Sequence, residues 1–433
     1  MKKSIYFHID EFNRDTIVAA ALYKKLSRHF TFFFGNRIDE VRLKKYNFDI
    51  YIFPTVERAR DAFGEPENCE GKIFILPNES ISGSLKVKRR LELHLTGTIK
   101  DIKLKRKWLS KVSKFFLWGN SHYKVINNYS RKMSKKSVII GHPRHDKDCY
   151  KKIERNENSF SVGIASRFDL LNIFDNRLNF EAIYNAWFDK YNFNYSFSKK
   201  SNIEHQWFNA VLDFRFFLDI VKILNNKNIV PEIRPHPREN INNWKKFSKK
   251  FNLEFKFKIS KFDETFVDWI NRQKLIISTA STSLYDCALL NKNVLVIDKL
   301  SPERAKHGNL YLDDFDPIIK YFARPKNIRE FTKKLNKNKK IKINKSLKKL
   351  LFNEVNYPYQ NNSLKKISDY LIKNESKTNK FNIFKLIKGY KFIFSQNYTA
   401  FKFTIKKILG FREVGSIFSL GILRYKMIKK LLR

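Results

Sequence analysis

Cysteine is scarce in this sequence, and the three cysteines lie far apart. Cys69, Cys149 and Cys287 are odd in number, which argues against a disulfide framework and against a cysteine-based zinc site. Uninterrupted apolar runs of about 18 residues are also missing, so the sequence predicts no transmembrane helix. The opening residues, MKKSIYFHIDEFNRD, lack the apolar core of a secretory signal. These absences together predict a cytoplasmic chain in a reducing compartment.

Acidic residues are few relative to basic ones. The sequence has 42 Asp and Glu residues against 87 Lys and Arg residues, a formal net charge of +45. Such an excess predicts an anionic partner: a nucleic acid, an anionic membrane or a phosphorylated substrate. The lysines are spread along the whole chain, so part of the charge reflects overall composition. No recognised nucleic-acid-binding motif accompanies it, and we expect no nucleic-acid partner.

The C-terminal tail is more basic than the rest of the chain. Residues 380–433 carry 13 Lys or Arg residues and one acid, Glu413. The basic residues alternate with Phe, Ile and Leu in FNIFKLIKGYKFIF, AFKFTIKKILGF and GILRYKMIKKLLR. Basic amphipathic segments of this kind lie on anionic membrane surfaces. We expect residues 373–433 to hold the chain peripherally on the inner face of the cytoplasmic membrane. The alternative is a set of helices packed on the body with a solvated basic face.

The rest of the chain alternates short apolar runs with amphipathic stretches. The runs SIYFHI, TFFFG, FDIYIFP, KIFILP, SKFFLWG and KSVIIG form a first series of predicted strands, and SFSVGIAS, IVPEIRPHP, LEFKF, KLIISTAS and NVLVIDK a second. Strands separated by helices predict parallel sheets with helices on both faces. The sequence therefore predicts two doubly wound, Rossmann-like α/β domains, over residues 1–150 and 151–372. Ligands of such sheets bind at the carboxyl ends of the strands, here in a cleft shared by both domains.

A histidine lies between two prolines in PEIRPHPREN, residues 231–240. Proline fixes its own φ and restricts the residue before it, so Pro235 and Pro237 leave His236 little backbone freedom. The apolar run before it predicts a strand, which puts His236 at the carboxyl end. There it can donate to a phosphate or protonate a leaving group, and Arg234 can neutralise the charge. The alternative is a rigid turn with an incidental histidine.

A cluster of hydroxyl side chains follows the later run KLIIS. The cluster leads into the predicted helix SLYDCALL, which begins at its last member. Its members are Ser278, Thr279, Ser281, Thr282 and Ser283. Hydroxyls and free N–H groups at the start of a helix bind phosphate. One of them can instead simply cap the helix, although five hydroxyls exceed that need. Together the two motifs predict a nucleotide-sugar phosphate site in the second domain.

These motifs resemble those of GT-B glycosyltransferases that use CMP-activated sugars, such as bacterial sialyltransferases and capsule Kdo transferases. RPHP-x-E-N followed by STASTS…D is similar to their HP and Ser/Thr motifs. The likeness is closest to the group that builds bacterial surface carbohydrates, in capsule and lipopolysaccharide synthesis. It extends over residues 4–372 through HIDEFNRDTIVAAAL, ILPNESISGS, FFLWGNSHYKVINN, VIIGHPRHD and SRFDLLN.

The resemblance implies a nucleotide site built from matching residues. His236, held by Pro237, would bind or protonate the nucleotide phosphate, which Ser281, Thr282 and Ser283 would also bind.

Three further residues would lie around the rest of the nucleotide. The resemblance puts Ser166 and Arg167 near the nucleotide, in the loop between the domains. Asp286 stands where the group tends to have Glu and would hold the ribose.

The resemblance also implies an acceptor-side carboxylate, Glu79, in the first domain. A general base must lie within hydrogen-bond reach of the acceptor hydroxyl. The group's motif usually has a second acid and a nearby glycine, whereas Asn78 and Ser80 flank Glu79 here. Asp10 and Glu11, at the end of the first predicted strand, are therefore rival carboxylates.

The predicted activity is glycosyl transfer without a metal or other cofactor. The resemblance implies an acidic sugar, such as Kdo or a sialic-acid-like sugar, moving from a CMP donor to a surface polysaccharide or lipid-linked acceptor. GT-B enzymes generally need no catalytic metal, because helix dipoles and side chains replace it. His142 and His145 in GHPRHD are interpreted as part of a structural turn, and the alternative is a pair of metal ligands. Two alternatives stay open: a polyol-phosphate transferase with a CDP donor, and a non-enzymatic polyanion-binding protein.

Overall fold

The computed structural model divides the chain into two compact units, Met1–Lys151 with Lys348–Arg433, and Lys152–Leu347. The residues that it describes are 2–10, 12–40, 43–78, 101–149, 161–166, 168, 214, 216–236, 239–261, 264–279, 281, 283–297, 317–335, 343–376 and 391–397. Each unit is built on its own parallel sheet.

The first unit contains a six-stranded sheet in the order β2-β1-β3-β4-β5-β6. All of its strand pairs are parallel. The strands are β1 (Lys3–His8), β2 (Phe30–Gly35), β3 (Ile50–Phe53), β4 (Lys72–Ile75), β5 (Val112–Leu117) and β6 (Ser137–Ile139). The helices before the second unit are α1 (Phe12–Leu26), α2 (Arg37–Glu40), α3 (Val56–Phe63), α4 (Ile102–Lys111), α5 (Asn120–Tyr129) and α6 (Arg131–Ser134).

Both faces of this sheet are buried, which is why its strands read as continuous apolar runs. Side chains alternate between the faces along each strand. On β1, Tyr6 belongs to one core, here called the aromatic face, with Tyr51 and Phe53 of β3. Ile5 and Phe7 belong to a separate core on the opposite face, here called the aliphatic face, against α1.

The second unit contains a five-stranded sheet in the order β11-β10-β7-β8-β9, again parallel throughout. Its strands are β7 (Val162–Ala165), β8 (Glu232–Arg234), β9 (Lys258–Ile259), β10 (Leu275–Ser278) and β11 (Asn293–Val296). Its helices are α7 (216–225), α8 (Ile241–Lys250), α9 (Phe266–Arg272), α10 (Ser283–Leu289) and α11 (Ile328–Leu335). The predicted fold class, two parallel-sheet α/β domains in tandem, is confirmed.

One predicted strand is wrong in position. LEFKF lies in a turn and the extended segment after it, and β9 begins only at Lys258. Phe255 and Phe257 are buried in the core of the second unit, while Asn225 bonds the backbone of Lys256 on both sides. The apolar residues of this run therefore anchor a loop in the core, and the run does not pair with a neighbouring strand.

The chain returns to the first unit after the second, which differs from the predicted domain limit at residue 372. Two helices follow, α12 (Lys345–Val355) and α13 (Ser363–Glu375). Leu364, Ile367 and Leu371 of α13 complete the aliphatic face. Burial of these side chains fixes α13 on the first unit, so the domain limit in the second part of the chain lies at Leu347.

A last helix, α14 (391–397), packs on the opposite face of the same sheet. Its Phe392 lies in the aromatic face, with the ring of Tyr6 at 6.0 Å between centroids. The predicted tail, residues 373–433, otherwise lies mostly outside the described residues. Among the residues that the structure describes, no helix has the length and apolar content needed to cross a membrane.

Candidate functional site

Four strands of the second sheet end in register. Ser278 of β10 pairs with Val296 of β11 and with Ala165 of β7, and Ala165 pairs with Arg234 of β8. Neighbouring strands lie about 4.8 Å apart. The loop after β10, with the hydroxyl cluster, is therefore separated from the loop after β8, with His236, by only the width of β7, roughly 10 Å. The fold brings together the two motifs that the sequence singled out.

Glu239 organises this edge, and the sequence interpretation gave it no role. Its buried carboxylate accepts hydrogen bonds from the backbone N–H groups of His236 at 3.1 Å and Phe168 at 2.9 Å. It also accepts from the hydroxyl of Ser166 at 2.9 Å and from the indole Nε1 of Trp244 at 2.6 Å. Glu239 therefore joins the ends of β7 and β8 to the first turns of α8.

Burial raises the pKa of Glu239 to about 7, although each of these four donors favours the ionised form and opposes the shift. A carboxylate that accepts several hydrogen bonds can remain charged in an apolar surrounding. The signal in the sequence was an acid three residues after the histidine, within a strongly basic chain.

Arg234, the last residue of β8, is held by protein groups. Its guanidinium donates to the carbonyl oxygens of Lys261 at 3.0 Å and Glu264 at 2.6 Å, and to the hydroxyl of Ser260 at 3.2 Å. Burial lowers the pKa of Arg234 to about 10. The side chain thus supports the loop after β9.

The predicted phosphate-binding residues are only partly free for a ligand. The Ser166 hydroxyl is buried and donates to Glu239, whereas His236 is half-buried. The hydroxyls of Ser281 and Ser283 contact each other at the start of α10. Asp286 lies in the same helix and is buried. His236, Ser281 and Ser283 are therefore the side chains best exposed for a ligand among these five.

Several predicted site residues lie outside the described residues. They are Glu79, the rival carboxylate Glu11, Arg167, Pro237 and Thr282.

The first unit carries a cluster of charged groups at the carboxyl end of β1. Asp10 Oδ1 lies 3.6 Å from Nη2 of Arg58, and Glu40 Oε1 lies 3.8 Å from Nε of the same guanidinium. His8 Nε2 lies between the two carboxylates, 3.9 Å from Asp10 Oδ1 and 3.5 Å from Glu40 Oε1. Burial lowers the pKa of His8, which keeps the imidazole neutral. The sequence pointed to Asp10 and missed its three neighbours.

An open pocket of about 400 Å³ adjoins this cluster. Asp15 ties two of its walls together, because its carboxylate accepts from the backbone N–H of Asp10 at 3.1 Å and from Nδ2 of Asn78 at 3.0 Å. The lining combines apolar and polar side chains, among them His8, Phe53, Leu76, Asn78, Trp118 and Arg144. The ends of β1, β3, β4 and β5 thus form one concave edge, where parallel α/β sheets commonly bind ligands.

The second histidine of GHPRHD, His145, ends a short 3₁₀ turn, Pro143–His145, and the first, His142, directly precedes that turn. The His142 ring packs on Trp118 with 3.9 Å between centroids, and Arg144 Nη2 lies 3.2 Å from its Nε2. Burial and the nearby charges lower the pKa of His142 well below its ordinary value. Asp146 accepts the backbone N–H of Leu364 at 2.8 Å, which ties the turn to α13. These contacts support the structural role predicted for the turn.

The two parallel-sheet α/β units have the GT-B fold. No family model matches this sequence, and neither does any curated protein. Among solved structures, an H444N variant of the wall teichoic acid polymerase TagF aligns with a TM-score of 0.51, 10% identity and coverage of 86% of this chain and 89% of that one.

Two epimerases align less closely. A UDP-GlcNAc 2-epimerase from Methanocaldococcus jannaschii, solved with UDP-GlcNAc and UDP, gives a TM-score of 0.48 at 12% identity over 86% of this chain and 100% of its own. A putative UDP-N-acetylglucosamine 2-epimerase from Listeria monocytogenes gives 0.48 at 9% identity over 88% and 98%. At these identities the likeness concerns the fold alone.

Proposed function

We propose that this chain is a glycosyltransferase that uses a nucleotide-activated sugar to build a surface carbohydrate. The donor is CMP-linked and carries an acidic sugar such as Kdo or a sialic-acid-like sugar. The acceptor is a surface polysaccharide or a lipid-linked glycan. The nucleotide binds at the carboxyl edge of the second sheet, and the basic tail holds the enzyme on an anionic membrane.

The observation that carries this proposal is the attachment of His236 to the ends of two adjacent strands through Glu239. A buried carboxylate with four donors fixes the backbone of a half-buried histidine beside a hydroxyl cluster. Such an edge suits a phosphate, because the imidazole can donate a hydrogen bond to it or a proton to the departing oxygen. The hydroxyls of Ser281 and Ser283 add donors from the strand beyond β7.

Asp10 is the described carboxylate best placed for the acceptor. It lies at the carboxyl end of β1, close to Arg58 and to His8, and His8 lines the pocket. As a general base it would take the proton of the attacking hydroxyl. Glu79 stays a second candidate for this role.

A polyol-phosphate transferase with a CDP donor is the second candidate function. The fold similarity to a wall teichoic acid polymerase favours it. The same edge of the second sheet would bind the nucleotide in either case, so the two candidates differ in donor and not in site.

Nucleotide binding tests the proposal directly. Thermal unfolding is measured with CMP, CDP, UMP, UDP and GDP on the wild type and on His236→Ala. A stabilisation by CMP that is lost in the variant supports the CMP-sugar donor, and a preference for CDP supports the second candidate. GDP has the charge of CDP, so an equal response to both indicates attraction by the net charge alone.

The matched control is His29→Ala, because His29 is exposed in the first unit. It should leave the nucleotide response unchanged. A wild type that responds to none of the five nucleotides contradicts the proposal.

A further inference from the structure

Helix α14 is attached to the first unit by one aromatic side chain. Phe392 is only 1% exposed. Its ring lies at 5.1 Å from Tyr46 and 5.5 Å from Phe48, both in edge-to-face contact. Gln396 adds a hydrogen bond from Nε2 to the carbonyl oxygen of Phe34 at 3.0 Å. The helix thus covers part of β2, which is the edge strand of the sheet.

The next two residues of this helix point their apolar side chains into solvent. Ile393 is 43% exposed and Phe394 is 73% exposed. Burying a Phe side chain gains about tenfold or more in an equilibrium constant, so a partner that covers both side chains gains binding free energy from them. We call Ile393 and Phe394 the apolar tip.

Basic residues flank the apolar tip in the sequence. Lys391 precedes it and is exposed. Lys44 and Lys45 are also exposed and adjoin Tyr46, the residue that contacts Phe392. The flanking sequence, residues 380–433, has 13 basic residues and one acid. Apolar side chains within a strongly cationic segment complement a surface that is anionic outside and apolar inside, which is a lipid bilayer with acidic headgroups.

We propose that the apolar tip inserts into an anionic membrane surface. Phe392 anchors the helix that carries the tip to the first unit. This surface is independent of the nucleotide site and does not rest on the proposed activity. The attachment determines an orientation: the β2 edge of the first sheet, next to the aromatic face, is turned toward the lipid.

The three native cysteines make a site-specific probe possible. All three are buried, and burial raises the pKa of Cys69 to about 12 and those of Cys149 and Cys287 well above the ordinary value. They should resist alkylation in the folded protein. Phe394→Cys can therefore be labelled alone with the environment-sensitive dye NBD. Leu253→Cys is the matched control, since Leu253 is 91% exposed on the second unit.

The labelled proteins are mixed with phosphatidylglycerol vesicles and with phosphatidylcholine vesicles. We expect NBD at position 394 to brighten and shift to the blue with the anionic vesicles only, and NBD at position 253 to change with neither. Bromine-labelled acyl chains should quench the first probe. An NBD spectrum at position 394 that is already that of an apolar site without vesicles means that the chain itself covers the tip, and overturns the proposal.

Vesicle cosedimentation of unlabelled protein gives the second measurement. Phe394→Ser should weaken binding to phosphatidylglycerol vesicles by about tenfold, whereas Leu253→Ser should not. Unchanged binding by Phe394→Ser means that other residues contact the lipid, and also overturns the proposal. Capture of a second copy, seen as a concentration-dependent dimer that Phe394→Ser abolishes, would assign the tip to self-association instead.

Discussion

The backbone N–H of His236 donates to the carboxylate of Glu239 at 3.1 Å. This bond closes a tight turn in which Glu239 N–H also donates back to the carbonyl oxygen of His236 at 2.8 Å. The histidine ring therefore projects from a backbone that is fixed on both sides, by the proline before it and by the buried acid after it. Binding sites gain affinity from such preorganisation, because less conformational freedom is lost when a ligand arrives.

Glu239→Gln should loosen this edge and lower the stability of the second unit. The amide has one acceptor oxygen where the carboxylate has two, and its NH₂ group faces donors. Leaving buried donors without a partner costs about 1–3 kcal/mol each, so we expect a loss of about 3 kcal/mol. Urea denaturation measures it, with the exposed Glu254→Gln as control. Equal stability of the two variants contradicts the role given to Glu239.

The stability of the second unit should depend on the protonation of Glu239. The pKa of this carboxyl is about 7 in the folded state, above its ordinary value of 4.5. Between these values the folded state holds a proton that the unfolded state releases, so the free energy of unfolding falls as the pH rises. Urea denaturation of wild type and Glu239→Gln from about pH 4.5 to about pH 8 checks this. The difference between the two should change across that window, and a constant difference contradicts the raised pKa.

The first unit should respond to acid in the opposite direction, through His142. Its pKa lies well below the ordinary value of 6.5 because the ring is buried near Arg144 and His145. Below pH 6.5 the unfolded state binds a proton at His142 that the folded state does not bind. The free energy of unfolding therefore decreases as the pH falls. His142→Gln should lose less stability than the wild type on acidification. The exposed His29→Gln should follow the wild type, and a matching acid response of both variants contradicts this prediction.

Gly119→Ala should displace α12 from the first unit. A Cβ added to Gly119 would collide with the carbonyl oxygen of Asn353 and would lie 2.7 Å from the carbonyl carbon of Glu354. These atoms are backbone and cannot rotate away, so we expect a loss of about 1–3 kcal/mol. Thermal unfolding measures the loss, with Lys107→Ala on the exposed side of α4 as control. An unchanged midpoint means that α12 does not pack here as described.

Most of the fold could be predicted from the sequence, because buried parallel strands have an unmistakable composition. Runs such as FDIYIFP and KLIIS contain β3 and β10. The return of α12 and α13 to the first unit could not be predicted. The sequence of an amphipathic helix predicts an apolar face, but it does not predict which sheet that face covers.

The parts of the candidate site that are formed by neighbouring residues could be predicted from the sequence. The parts that depend on contacts between distant residues could not. The prolines around His236 and the hydroxyls after β10 form motifs that can be recognised within a few residues of sequence. The contacts of Arg234 could not be predicted, because its three acceptors follow β9, far along the chain. His8 and Asp10 lie at the end of β1, whereas Glu40 lies in α2 and Arg58 in α3. Only the order of the strands brings these elements together.

The return of α13 to the first sheet has a consequence for synthesis on the ribosome. Leu364, Ile367 and Leu371 complete the core on the aliphatic face, yet roughly 200 residues are translated between Lys151 and that helix. At a translation rate of about 5–20 residues per second, roughly 10 to 40 seconds pass between synthesis of the sheet β1–β6 and synthesis of the helix that covers its aliphatic face. The second unit can fold during that interval, whereas the first exposes an apolar face. A nascent chain of this kind is a natural client for chaperones, and premature termination before Leu364 should yield an aggregating product rather than a free first domain.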